Sequence, residues 1–303
     1  MISQNLRSSI INTAKSQYAL LHLVVLIFGF TGILGRLITV PALILVWYRL
    51  VIAVIAIAVY LIVRKSSFKV DTRLTIYALL IGVSVGIHWV FFFHSIKISS
   101  ISIALVCMAS APFIVAILEP LIYRRPFRKH ELIFSILNLA GIAIIYNFEA
   151  KYITGILFGI GAAWLSGLFT VLNGHLVKEN DASIISLYEL AGAWIILSII
   201  APLTYPVTDP LWVLSTSDWL YLLILGTICT AFAYMASIHV MQVVSPFTAL
   251  LTVNLEPIYG IILALLIFGN DETMSPGFYL GAVIVLGTLY LNGIVSKKLS
   301  KKG

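Results

Sequence analysis

The residues with most capacity for chemistry are ionisable side chains set inside long apolar runs. Glu256 stands in the middle of one run, directly before Pro257. A charge near the centre of a bilayer costs about 2.5 to 3.5 kcal/mol on insertion scales, so such a group must face water or a partner. A carboxyl there can bind a proton or the ammonium of a substrate, while Pro257 removes a backbone hydrogen bond and marks a bend used in switching. The competing reading is a structural carboxylate paired permanently with Arg49. Arg49 follows Trp47 and Tyr48; its planar fork can hold a substrate carboxylate, or it can be a structural arginine that snorkels outward. His88, next to Trp89, can hydrogen-bond or titrate, or simply pack as a neutral ring. Glu119 reads as a local ion pair with Arg124 and Arg125, and Glu189, nearer the end of its run, as structural or gating.

Around these groups run polar stripes at helical spacing. They comprise Ser84, His88 and Ser95; Ser166, Thr170 and Asn173; Thr227, Thr230, Tyr234 and Ser237; and Thr248, Thr252, Glu256 and Tyr259. Each set shares one helix face, as expected of a wall that meets water rather than lipid. Bonding of Ser and Thr to their own helix carbonyls is the alternative for any one of them. No HExxH, P-loop or Gly-x-Ser-x-Gly pattern occurs, and Cys107 and Cys229 have no Cys or His at ligand spacing. No catalytic residue, metal site or cofactor is therefore expected.

The elements that position these groups follow from composition. Of the 303 residues, 61% are hydrophobic and 10% charged, with a mean hydropathy of +1.07. Soluble domains carry about 25% charged residues, so lipid is the main solvent here. Only helices and closed barrels satisfy the backbone in lipid, and runs of about 20 residues without period-2 alternation select helices. Ten spans are predicted, near 18–38, 41–63, 74–96, 100–123, 131–148, 152–176, 183–202, 217–239, 245–268 and 276–295. The first reads as a retained helix, since no small-residue cleavage pattern follows the basic start. Spans three, four, six, eight and nine should line a cavity, with five and ten peripheral. Fifteen of the 19 Lys and Arg residues fall on the side of the termini, and only Arg36, Lys97 and Lys151 on the other. The net charge of +7 thus sits as an orienting pattern, not as a nucleic-acid footprint, and places both termini in the cytoplasm.

The chain also repeats itself. A shift of 145 residues lays His94 on His239, Ser100 on Ser245, Ala104-Leu105 on Ala249-Leu250 and Pro112 on Pro257. With a small further shift, Tyr48-Arg49-Leu50 lies over Tyr188-Glu189-Leu190. Two units result, 1–150 and 151–303, each of five spans. An odd number makes the second enter the membrane from the opposite side, so the expected fold is an all-α membrane protein of ten transmembrane helices in two inverted five-helix repeats. Pro112 and Pro257 are the candidate hinges, and Tyr48, Trp89, Asn173, Tyr234, Thr252 and Tyr259 join Arg49, His88 and Glu256 as pathway candidates.

The stretch Phe91-Phe92-Phe93-His94-Ser95-Ile96-Lys97 with Ile101-Ser102-Ile103-Ala104, the stretch Asn254-Leu255-Glu256-Pro257-Ile258-Tyr259-Gly260, and the Gly281–Gly287 helix resemble the EamA-type drug/metabolite transporters. The resemblance spans nearly the whole chain as two tandem units. It implies an inverted five-plus-five fold and export or exchange of amino acids or other metabolites. One departure is Arg124-Arg125-Pro126 after the fourth span, where the family commonly has an acid; Asp271-Glu272 follows the ninth. The expected function is a secondary transporter of small metabolites working by alternating access at the cell (inner) membrane. An integral membrane enzyme or a flippase acting on a lipid-linked substrate is the alternative. The expected partners are a small-molecule substrate and membrane lipid, with no nucleic acid and a homodimer left open.

Overall fold

The computed structural model describes residues 2–66, 68, 71–178, 180–253 and 255–300, with the side chains of these other than 2–15, 131, 247, 248, 250, 251, 289 and 296–300. Asn254 of the ninth-span pattern lies outside the described residues, as do the side chains of Thr248, Arg7, Lys15, Lys297 and Lys298. The order of helices is α1 (Ile2–Leu37), α2 (Ala42–Val63), α3 (Thr72–Ile98), α4 (Ile101–Met108), α5 (Ala111–Tyr123), α6 (Lys129–Phe148), α7 (Ile153–Leu176) and α8 (Ala182–Thr204), then α9 (Thr216–Gly226), a π-helix (Thr227–Phe232), α10 (Ala233–Val240), α11 (Pro246–Val253), α12 (Glu256–Phe268) and α13 (Pro276–Ser300). The described residues contain no strand.

Apolar sequence forces the backbone to pair with itself, and short polar residues mark where it stops doing so. Asp71 accepts from the Arg73 amide to cap α3, Ser100 from Ile103 to cap α4, and Asp181 from Ser183 to cap α8. Ser215 and Asp218 form a reciprocal capping box at α9. Eight helical segments of the described residues are long and apolar enough to cross a membrane, against the ten predicted. The Leu132–Phe148 segment is shorter, and the run from Pro246 to Phe268 is split into α11 and α12. The outward faces are apolar: Leu203 is 81% exposed and Leu266 77%. Such surfaces are tolerable only against lipid, so this is a multi-pass membrane protein.

Both candidate hinge prolines open a new helix. Pro112 and Pro257 each lie in the first turn, of α5 and α12 respectively, where a missing amide costs nothing. Helix α4 stops at Met108 because its continuation would need that amide. The Ala109 carbonyl at the interruption accepts from Asn138 Nδ2 of α6 at 3.2 Å. A polar residue of the fifth predicted span thus completes the backbone of the fourth.

Small residues set the closest helix contacts, as is usual where lipid supplies no hydrophobic drive. On α3, Gly82 meets the backbone of Glu189 and Gly86 meets Ala193 of α8; on α8, Gly192 meets Leu79. From Gly82–Glu189 to Gly86–Ala193 both helices advance by four residues. Gly141 of α6 and Gly281 of α13 press together in the same way. A β-carbon at Gly82 would strike the Glu189 carbonyl, which cannot move without the helix, whereas one at Gly287 meets nothing within 4 Å. Gly82→Ala should therefore cost about 1 to 3 kcal/mol in unfolding experiments in detergent, and Gly287→Ala should leave stability unchanged or raised.

Candidate functional site

A cavity of about 100 Å³, enough for several waters, opens inside the bundle. Its wall takes Leu21, Phe28 and Thr31 from α1, Arg49 from α2, His88, Trp89 and Phe92 from α3, and Met108 from α4. The rest comes from Ser166, Phe169, Thr170 and Asn173 of α7, Tyr234, Ser237 and Ile238 of α10, Met241, then Ala249, Val253 and Glu256 of the α11–α12 pair. Of the residues singled out in the sequence, Arg49, His88, Trp89, Asn173, Tyr234 and Glu256 come together here. Three do not. Tyr48 lies in an aromatic cluster with Trp47, Trp212 and Trp219, its hydroxyl donating to the Trp212 carbonyl at 3.1 Å. Tyr259 is 39% exposed, with its β-carbon against Gly29, and Thr252 is half-buried outside the cavity wall.

Arg49 is the most confined of the polar groups. It is 1% exposed, its Nε donates to Thr230 Oγ1, and its guanidinium lies 3.9 Å from the Trp89 ring centroid. Phe93 adds a second aromatic face at 5.3 Å. Cation–π contacts of this kind gain strength away from water. Thr230 is available because the chain there winds as a π-helix, in which its hydroxyl reaches back to the Leu225 carbonyl, five residues earlier. Gly226 lets α2 approach, the Arg49 carbonyl lying against it. The Arg49 Nη1 remains buried with no partner. No carboxylate of a described residue lies within the 4.0 Å ion-pair limit of Arg49, so the permanent pair with Glu256 is not formed.

Glu256 is half-buried at the first turn of α12, immediately after the interruption and inside the cavity wall. A carboxylate at a helix N-terminus is favoured by the macrodipole. His88 Nδ1 is 2.7 Å from the Ala162 carbonyl; because a carbonyl only accepts, that nitrogen carries hydrogen. Its ring also stacks with Phe92 and meets Phe169 edge-on. Asn173 and Tyr234 both donate to Glu189, at 3.1 and 2.5 Å, so a residue placed near a span's end becomes fully buried behind the cavity wall.

The two ends of the cavity differ. Toward the basic end it reaches Met241 and Ala249, on either side of the turn where Gln242 bonds Asn180 at 3.4 Å. Toward the opposite end the helices are clamped by polar contacts. Arg36 pairs with Glu272, whose carboxylate also accepts from the Ile101 and Ser102 amides, both at 3.2 Å. Lys97 donates to the Ile38 carbonyl at 2.7 Å, and the Thr39 amide and hydroxyl donate to Asp218 at 2.7 and 2.8 Å. Glu119 pairs locally with Arg125 at 3.4 Å near the basic end. The Glu119–Arg125 pair is the local ion pair expected from the sequence, whereas the contacts at the opposite end were not foreseen.

A sequence profile described as the EamA-like transporter family matches twice, over residues 15–147 and 153–294. The chain belongs to this family. The two matches divide the EamA-like chain between α6 and α7, so Arg49 comes from the first unit while Tyr234 and Glu256 come from the second. A solved structure titled "Crystal structure of protein" superposes with a TM-score of 0.68 at 14% identity, covering 93% of this chain and 98% of that one. That likeness extends to the fold. No curated protein matches in sequence.

Replacing Thr230 by Val strips Arg49 of its hydroxyl partner at a fully buried position. Thr230→Val in this EamA-like protein should lose about 1 to 3 kcal/mol of stability. Thr227→Val, at an exposed position whose hydroxyl bonds only the Leu223 carbonyl, should change little. Thermal unfolding of both variants in detergent checks the contrast.

Proposed function

We propose that this protein is a secondary transporter that exports or exchanges small metabolites such as amino acids by alternating access. The observation that carries the reading is the cavity itself, which is walled by residues of both units, Arg49 and Glu256 among them, and extends as far as Met241, while the Arg36–Glu272 and Thr39–Asp218 contacts join the helices at the end away from the basic residues. A hollow at the interface of two repeats, with the helices joined at one end, suits one of the two states that alternating access requires.

Ten spans follow if α4–α5, α9–α10 and α11–α12 each cross as one interrupted helix and α6 crosses too. Five of these fall in 1–150 and five in 151–303, and five crossings per unit set the units in opposite directions. Matching interruptions before Pro112 and Pro257 support that symmetry. The basic end then faces the cytoplasm with both termini, at the cell (inner) membrane, and the cavity is open inward.

In this reading Arg49 and Glu256 form the two poles of the solute site. The unpartnered Nη1 of Arg49 offers a donor to a solute carboxylate, and Glu256 accepts its ammonium. Trp89, Phe92 and Phe169 supply an apolar wall between. Pro112 and Pro257 mark where the interrupted helices bend, and His88, held by Ala162, shapes the wall without engaging the solute charge.

Purified protein in proteoliposomes, assayed for uptake and efflux against a panel of labelled metabolites, tests this. A charged hydrogen bond is worth about 1.5 to 3 kcal/mol, so Arg49→Gln and Glu256→Gln should each cut flux of the accepted solute by about ten- to a hundredfold. Unchanged flux in folded Glu256→Gln would remove that residue from the site. Chemical turnover of a lipid without solute movement would overturn the transport reading.

A further inference from the structure

Glu189 has no exposed surface, yet its charge is unopposed. No Lys, Arg or His nitrogen of a described residue lies within 4.0 Å of it. The charged and titratable groups that the neighbouring helices bring to this part of the bundle are Arg49 on α2, His88 on α3 and Tyr234 on α10. Arg49 is engaged by Thr230 and Trp89, and His88 by the Ala162 carbonyl. Of the nearby histidines, His175 packs on Tyr123 and His239 meets Gln17. Among the described residues only Tyr234 and Asn173 hydrogen-bond the carboxyl, both at Oε2, and Oε1 is buried without a hydrogen-bond partner. Burial of an uncompensated carboxylate is costly, and a stable bundle needs something to neutralise it.

That something is small. Glu189 is absent from the cavity wall, whereas Tyr234 and Asn173 form part of it. A solute ammonium is therefore screened from the carboxyl, while a proton can pass along the hydrogen bond. Building on the transport reading, we propose that Glu189 is the proton-binding site of the protein and that Tyr234 relays its occupancy to the solute cavity.

The relay works by reversing one hydrogen bond. With Glu189 charged, the Tyr234 O–H must point at Oε2, and the phenol oxygen, which also accepts from Asn173 Nδ2 at 3.5 Å, has only lone pairs to show to the cavity. With a proton on Oε2, the carboxyl donates to the phenol oxygen, whose own O–H is released to donate into the cavity. One wall group changes from acceptor to donor with no helix displaced. The change falls beside the anion pole, because the Tyr234 ring lies 5.6 Å from that of Trp89, on which Arg49 rests. Glu189 also occupies in the second unit the place that Arg49 holds in the first, so equivalent positions carry the proton and the solute anion.

Infrared difference spectra of reconstituted protein, recorded between acid and alkaline buffer, read the proton directly. The wild type should show a protonated-carboxyl band that is lost in Glu189→Gln and kept in Glu256→Gln. Proteoliposomes loaded with a labelled amino-acid mixture supply the second arm. An imposed pH gradient should alter wild-type efflux and leave Glu189→Gln indifferent, while exchange without a gradient persists. Tyr234→Phe keeps the carboxyl, so its band should remain but shift in frequency, and the gradient response should vanish. A band that survives Glu189→Gln, a band unmoved in Tyr234→Phe, or a gradient response retained by Glu189→Gln would each overturn the proposal. If the wild type moves no label at all, the transport reading fails, and the infrared arm still decides whether Glu189 binds the proton.

Discussion

An arginine held inside a bundle whose outer surface is hydrocarbon must be solvated by the protein alone, and much of the interior here is arranged to do that for Arg49. Its flat faces rest on Trp89 and Phe93, which fixes the rotation of α3 about its axis. Its Nε requires a hydroxyl at Thr230, which requires a wide turn in the helix carrying it, which in turn frees the Leu225 carbonyl for that same hydroxyl. The approach of α2 demands Gly226, since any side chain there would meet Ile52 and the Arg49 backbone. One charge thus accounts for an aromatic pair, a π-helix and a glycine on three different helices.

The interrupted helices answer a second constraint. A proline placed mid-span would leave a carbonyl bare in hydrocarbon, a cost of several kcal/mol. At the first interruption Asn138 meets the Ala109 carbonyl and Ser110 bonds that of Cys107 at 2.7 Å, so the break is paid in local hydrogen bonds. At the second, Glu256 stands at the start of the resumed helix, and the irregular backbone borders a cavity rather than lipid. Irregular chain at membrane depth is tolerated in just these two settings.

Much of this was legible in the residues. Apolar runs announced the membrane, and rarity of charge within them pointed to Arg49, His88 and Glu256, because burial of a charge in lipid is selected against unless something needs it. Less legible was the direction each side chain takes. The stripe Thr227, Thr230, Tyr234 and Ser237 assumes a constant helical twist, but the π-helix begins at its first member: Thr227 is exposed, while Thr230 is fully buried. Tyr48 neighbours Arg49 in sequence and so points to a different face of α2, toward the tryptophans. Glu189 was judged by its distance from the end of a run, whereas its burial comes from the glycine-lined approach of α3. Pairings between distant segments, such as Arg36 with Glu272, leave no periodic trace at all.

The last helix of each unit is fastened to the other unit. Gly141 on α6 and Gly281 on α13 sit backbone to backbone, with Val285 and Ile145 locking the ridge on either side, and neither helix borders the cavity. Whatever motion one unit makes relative to the other must leave that seam shut or slide along it. In the transport reading the seam would act as an axle set to one side of the cavity, so that a modest tilt about it would open a wide gap at the far edge of the bundle and stretch the groups near the cavity far less.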